Sequence, residues 1–93
     1  MLTIDYKDGQ GWSAPKIEPY GPFPVATTAT SLHYGISAYE GISVVQNQQT
    51  GKPQAFRASH NLSCFERSSD HLDMPKFSVA ELFKCIKELV KLD

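Results

Sequence analysis

The residues with chemistry to offer are three histidines, two cysteines, a group of C-terminal lysines and a pair of tyrosines. Their spacing limits what that chemistry can be. His33, His60 and His71 lie far apart; His33 and Glu40 are spaced i, i+7, and His60 and Cys64 i, i+4. A metal site needs three or four converging ligands, and two-residue matches of this kind arise by chance, so no metal site is expected. The chain contains neither GxGxxG nor GxxxxGK[ST], the glycine-rich signatures that cradle phosphates. An anion could sit at a helix N-terminus near Ser59, where free N–H groups and the dipole favour negative charge, but no basic residue is assigned to that place. Nucleophile-elbow GxSxG is absent as well. Lys84, Lys87 and Lys91 fall on the polar side of an amphipathic stretch and read as solvated, whereas a Schiff-base lysine needs a desolvated setting.

The tyrosines belong to the stretch 31–41, SLHYGISAYEG, around which the chain is organised. Read as a helix, it places Leu32, Ile36 and Tyr39 at i, i+4 and i+7, with Gly35 on the same side. His33, Ser37 and Glu40 take another face. Gly41 sits where a C-cap belongs, since glycine adopts the left-handed conformation without steric cost. Tyr34 and Tyr39 are about 140° apart on such a helix and do not share a face. Composition alone favours packing roles for both, with one facing a pocket as the alternative.

The flanking elements follow from pattern. Residues 2–6 alternate apolar and polar and predict a strand, and residues 8–11 a turn, with Trp12 as a packing anchor. Pro15, Pro19, Pro22 and Pro24 exclude a long helix or central strand. An extended segment at 16–18 is expected, with Ile17, Tyr20, Phe23 and Val25 supplying apolar surface to pack. Thr30 or Ser31 is the expected cap of the tyrosine-bearing helix. Residues 42–46 and 54–57 read as a hairpin across the polar loop 47–52. A helix capped by Ser59 runs to about Leu72, with Leu62, Phe65, Ser69 and Leu72 on one thin stripe. Residues 73–75 end it. Ser78 and Glu81 form a capping box, flanked by a Phe77/Leu82 staple. Val79, Leu82, Phe83, Ile86, Leu89 and Val90 then keep a helical period to the end. The elements predict an α+β fold, a small antiparallel sheet with helices on one face.

At 93 residues the chain is one domain at most, able to form a core but with little margin. A net charge of −1 offers no electrostatic case for nucleic acid or an anionic membrane. No apolar run is long enough to span a bilayer. The opening MLTIDY has no basic region of the kind a leader carries. Cys64 and Cys85 share no CxxC spacing, so both are expected as reduced thiols of a cytoplasmic protein.

The strings themselves carry more than their pattern. Leu32-His33-Tyr34-Gly35 followed by Ala38-Tyr39-Glu40-Gly41-Ile42 resembles the LHY…FEG segment of fold-type IV pyridoxal-phosphate aminotransferases. The opening Leu2-Thr3-Ile4-Asp5-Tyr6…Gly11-Trp12…Pro15-Lys16-Ile17 resembles that of eukaryotic-type branched-chain amino acid aminotransferases. So do Phe56-Arg57…Asn61…Arg67-Ser68…Leu72…Pro75…Phe77 and the segment from Glu81 to Asp93. The resemblance covers essentially the whole chain. It implies a single, partial small domain over residues 1–93, without the large domain that binds pyridoxal phosphate. In the full-length enzyme an amino group moves between leucine, isoleucine or valine and 2-oxoglutarate. By the same resemblance Tyr34 and Tyr39 line the pocket for the branched side chain, and Gly41 lets the backbone approach closely. The family works as a homodimer, so self-association or pairing with a large domain is expected.

Three positions depart from the family pattern. Cys64 stands where an arginine contacts the cofactor phosphate, and a thiol supplies neither its charge nor its paired donors. Arg67, one turn on, is the candidate substitute. Ser43 replaces a lysine or arginine, and Tyr39 adds a hydroxyl where phenylalanine is usual. The Schiff-base lysine, the carboxylate partner of the pyridine nitrogen and most phosphate contacts belong to the family's large domain and have no counterpart here. The expectation is therefore a small-domain portion that binds no cofactor and is inactive alone. The alternative is a degenerate, non-catalytic binding or regulatory module of the same fold.

Overall fold

A computed structural model describes residues 1–93. The fold is α+β, with its strands distributed over three separate two-stranded antiparallel ladders and three helices. The chain divides into two compact units, Met1–Ile36 with Lys84–Asp93, and Ser37–Phe83.

In the first unit, the strand expected over residues 2–6 is split into β1 (Leu2–Thr3) and β2 (Tyr6–Lys7). Between them Asp5 bonds to Ser13 twice: its N–H donates to the Ser13 hydroxyl at 2.9 Å, and its carbonyl accepts the Ser13 N–H at 2.7 Å. β2 turns through Gly9, in the left-handed region at φ +77°, into β3 (Gly11–Trp12). Tyr6 and Trp12 face each other across this ladder with ring centroids 5.0 Å apart in an edge-on arrangement. Cross-strand aromatic pairs of this kind hold short ladders together, so Trp12 anchors a hairpin. The expected extended segment is β4 (Lys16–Ile17), paired with β1 through Leu2↔Ile17 and Thr3↔Lys16. The apolar residues of the proline-rich stretch do not pack as expected: Ile17, Tyr20, Phe23 and Val25 are all exposed.

The helix expected over residues 31–41 does not form. Only one turn is helical, α1 (Thr30–His33), with Ala29 at its N-cap and no side-chain cap from Thr30 or Ser31. Tyr34 closes the turn by donating its N–H to the Thr30 carbonyl at 2.8 Å. Gly35 then takes φ +65°, and the chain leaves the helix six residues before Gly41. The reason is local. A four-residue helix has not recovered its nucleation cost. A glycine at its end gives the chain a left-handed exit at no steric penalty, and β-branched Ile36 is a weak restart.

In the second unit, β5 (Val44–Gln46) and β6 (Pro53–Ala55) form the expected hairpin, in register Val44↔Ala55, Val45↔Gln54 and Gln46↔Pro53. Its loop is organised by Asn47, whose side-chain oxygen accepts the N–H groups of Gln49 at 2.8 Å and Thr50 at 3.2 Å. This is the Asx-type turn that asparagine favours. Helix α2 (Ala58–His71) starts one residue before the expected Ser59 cap. Its N-cap is Arg57, held at φ +53° without a side-chain cap bond. Its end is a full Schellman arrangement. Asp73 stands in the left-handed conformation at φ +56°; the Met74 N–H donates to Ser69 O and the Asp73 N–H to Asp70 O, both at 3.0 Å.

Lys76 donates to Asp70 Oδ1 at 2.8 Å beyond that stop. The bond holds the Lys76 ammonium above its ordinary value. Because the folded-state value is raised, this contribution is fully present at neutral pH and fades only above the ordinary lysine range.

The core is small and belongs to α2. Leu62, Ala58 and Ser69 are buried, on the stripe that spacing assigned to Leu62 and Ser69. Phe65 is half-buried and meets Phe77 with ring centroids 5.6 Å apart. Leu72, expected on the same stripe, is at its exposed end. Helix α3 (Val79–Leu92) forms as its pattern required. Its cap is present too: the Glu81 N–H donates to Ser78 Oγ at 3.3 Å. No α3 residue is fully buried, and Val79, Phe83 and Ile86 are only half-buried.

Candidate functional site

The residues singled out by sequence fall in both units, and each is described within its own. Tyr34 belongs to the first, directly after α1, and is 79% exposed. Its neighbour His33 is held in place, with Nε2 donating to the Thr27 carbonyl at 2.6 Å. That bond braces His33 against the segment before α1.

Tyr39 and Gly41 belong to the second unit and lie close together. A Cβ built on Gly41 would stand 3.5 Å from the Tyr39 hydroxyl, an ordinary contact that a small side chain could tolerate. Gly41 is not in the left-handed region, so the expected C-cap role falls to Gly35 instead. What holds Gly41 is Asn61 on α2, whose Nδ2 donates to the Gly41 carbonyl at 3.0 Å across 20 residues of sequence. Asparagine is a poor residue for a helix interior, and that mismatch was the available signal for this anchoring role. Asn61→Ala should cost the whole chain no more than about 1 kcal/mol, because alanine's better helix propensity offsets part of the lost bond. The clearer readout is local. Hydrogen exchange should accelerate at the Phe56 amide, which donates to Ser43 O at 2.8 Å close to the released segment.

Ser37, Ala38 and Tyr39 form one wall of an open cleft of about 430 Å³, and Arg67, Ser68, His71 and Leu72 on α2 form the other. Its chemistry is mixed, an exposed aromatic ring and an aliphatic side chain beside a guanidinium and an imidazole. Such a cleft suits a ligand with an apolar part and an anionic part. Arg67 and His71 are i, i+4, and their joint presence follows from helix geometry rather than from any motif.

Cys64 is half-buried one turn before Arg67. Arg67 Nη2 donates to Cys64 Sγ at 3.4 Å, and His60 Nε2 lies 3.7 Å from the same sulfur. His60, Cys64, Arg67 and His71 therefore run along one line of α2, at i, i+4, i+7 and i+11. The line of buried Ala58, Leu62 and Ser69 with half-buried Phe65 has the same spacing, two residues earlier, about 200° around the helix. His60, Arg67 and His71 are thus kept off the core by the same periodicity that builds it, with Cys64 half-buried among them. No group of three or more His, Cys, Asp or Glu side chains is placed to hold a metal ion. Every lysine is exposed, Lys84, Lys87 and Lys91 included. No helix is long and apolar enough to cross a membrane.

All 93 residues align with curated proteins of one kind. The chain is 33% identical to the cytosolic branched-chain-amino-acid aminotransferase of Mus musculus. It is 36% identical to a probable branched-chain-amino-acid aminotransferase of Staphylococcus aureus, and 37% to the enzyme of Monosiga brevicollis. Along its whole length the chain is similar to branched-chain-amino-acid aminotransferases. Bacterial and eukaryotic aminotransferases match it at comparable identity. It spans about a quarter of the length of these aminotransferases, 24% of the mouse and Monosiga proteins and 25% of the staphylococcal one. No family model matches the chain.

Proposed function

We propose that the chain is the small-domain portion of a fold-type IV, pyridoxal-phosphate-dependent branched-chain aminotransferase. The observation that carries this reading is the similarity over all 93 residues to aminotransferases about four times as long. The large domain of such an enzyme holds the Schiff-base lysine, and no lysine in this chain has the desolvated setting that role needs. Tyr34, Tyr39 and Gly41 are assigned to the wall around the branched aliphatic side chain of leucine, isoleucine or valine. The exposure of Tyr34 and Tyr39, 79% and 87%, suits a wall whose opposite side is supplied by other protein. The chain acts in the cytoplasm, by self-association or by pairing with a large domain.

Pyridoxal phosphate, when bound in the whole enzyme, supplies the electron sink for moving an amino group. This chain's part toward it is one cationic contact to the phosphate. Arg67 lays its guanidinium against Cys64, so the charge missing from position 64 is restored beside it. A guanidinium fits a phosphate through paired donors, which the thiol lacks. Arg67 is therefore assigned the phosphate contact.

The test compares the chain alone with the chain joined to the large domain of the staphylococcal relative. Alone, treatment with pyridoxal phosphate and borohydride leaves no stable lysine adduct, and leucine with 2-oxoglutarate is not turned over. Joined, the protein binds pyridoxal phosphate, and Arg67→Met weakens that binding about ten-fold, the order expected for one charge-assisted contact. Turnover by the chain alone would overturn the reading. A second reading, a non-catalytic module of the same fold, is favoured by Cys64 and Ser43, which both stand where the resemblance places basic residues. A joined protein that folds but neither binds cofactor nor turns over leucine would select it.

A further inference from the structure

β2 and β3 are joined by the loop Asp8-Gly9-Gln10, and all of its residues are exposed. Asp8 is the one aspartate in the chain followed by glycine; Asp5, Asp70 and Asp73 precede Tyr6, His71 and Met74. The difference is chemical. The nitrogen of the next residue is the nucleophile nearest to an aspartate carboxyl, and a side chain on that residue hinders its approach. Glycine has none. The fold leaves both reacting groups available. No hydrogen bond occupies the Asp8 carboxyl or the Gly9 N–H. A Cβ built on Gly9 would meet nothing within 4 Å, so the space around it is open. Little holds the tip of the hairpin shut. The Gln10 N–H donates to the Lys7 carbonyl at 3.0 Å, and the flanking strands have two residues each. A ladder of two strands is marginal by itself, and exposed turns open at low cost. The Tyr6–Trp12 pair and the Asp5–Ser13 bonds hold the base of this hairpin, not its tip.

We propose that Asp8 is a site of spontaneous conversion to isoaspartate in the folded chain. The Gly9 nitrogen attacks Cγ of the protonated Asp8 carboxyl. A C–N bond forms, the nitrogen gives up its proton and the carboxyl its hydroxyl, and the two leave as water. The product is a succinimide. Solvent water then adds to one of its two carbonyls and breaks that carbon's bond to nitrogen. Opening at Cγ restores aspartate. Opening at the main-chain carbonyl carbon leaves isoaspartate, with the main chain routed through Cβ and Cγ and the α-carboxylate free. Water is lost and regained, and nothing is oxidised or reduced. The converted residue is a substrate for carboxyl methyltransferases that esterify an isoaspartyl α-carboxylate from a sulfonium methyl donor. Conversion also lengthens the loop by one carbon, which displaces the Lys7↔Gly11 pairing beside it. The inference rests on this turn and stands whatever the chain's role.

The experiment incubates the whole chain at neutral pH and physiological temperature, beside a free peptide of residues 6–12. Isoaspartate is measured by methyl transfer from a labelled donor with an isoaspartyl-specific carboxyl methyltransferase, and located by chromatography of proteolytic peptides. It should accumulate at residue 8 of the folded chain at no less than about a tenth of the rate in the peptide, because opening the loop costs little. Asp5, Asp70 and Asp73 should gain none over the same period. Asp8→Glu should abolish the signal, since the longer side chain closes its larger ring far more slowly. A slower rate at residue 8, or equal conversion at the other aspartates, would overturn the proposal. The comparison with the peptide needs no substitution, so it decides even if Asp8→Glu disturbs the turn.

Discussion

Leu62→Ala should lower the stability of the chain by about 2–4 kcal/mol, the usual range for emptying a buried leucine site. Leu62 is the most buried side chain in the molecule, at 3% exposure, and Ala58 is the only other buried apolar one. With so little core, few neighbours are available to share the loss. Small domains hold only about 5–15 kcal/mol in total, so this one truncation removes a large fraction of what α2 contributes. Urea unfolding is the measurement: the midpoint should fall while the slope is unchanged. A midpoint within error of the parent would mean that α2 is not the centre of the fold. Leu72→Ala is the control, because Leu72 sits at the exposed end of the same helix and should cost well under half as much.

Ser69→Asp should be at least as damaging at neutral pH, by about 3 kcal/mol or more, whereas Ser69→Ala should be nearly neutral. Ser69 is 4% exposed, and its hydroxyl donates to the Phe65 carbonyl at 2.9 Å within the helix. Alanine loses that bond but gains helix propensity, and back-bonded serines stabilise helices little. An ionised aspartate cannot donate. It would bring a charge to an acceptor in a place that solvent does not reach, and a buried unpaired charge costs several kcal/mol. The sign of the pH dependence follows. Burial raises the carboxyl's folded-state pKa above its unfolded value near 4, so the penalty is complete at neutral pH. It recedes as the pH falls through the raised value, where the neutral acid can donate to Phe65 O. Comparing the urea midpoints of Ser69→Asp and the parent at pH 7 and pH 4 measures this. A gap that widens on acidification would contradict the burial argument.

The elements legible in the sequence are those whose causes are local. Helix α3 follows from a six-residue apolar period and a serine cap, and it forms where that pattern ends and begins. The Asn47 loop depends on a side chain bonding to its own neighbourhood, and the Gly9 turn and the stop after α2 on left-handed residues with local backbone hydrogen bonds. The helix expected over residues 31–41 failed although its apolar spacing was correct. Spacing describes which face would be buried if a helix formed, but it carries no term for the left-handed exit that Gly35 offers after one turn. The packing expected of Ile17, Tyr20, Phe23 and Val25 failed for a related reason. Apolar composition is a demand for cover, and nothing in this chain supplies it.

The site divides along the same line. By itself the sequence determined the residue types at positions 34, 39, 41, 64 and 67, the α+β class, and the similarity to aminotransferases along its full length. Those depend on identity and order, which are read directly. Tertiary structure alone decided that Asn61 holds Gly41 and that Ser37, Ala38 and Tyr39 face Arg67 and His71 across a cleft. It also decided that the Arg67 guanidinium turns back onto Cys64. Each of these joins groups through side-chain rotamers or across a long closed loop. Which partner a flexible guanidinium or amide takes is settled by the few ångströms that packing leaves it, and no periodicity records that choice.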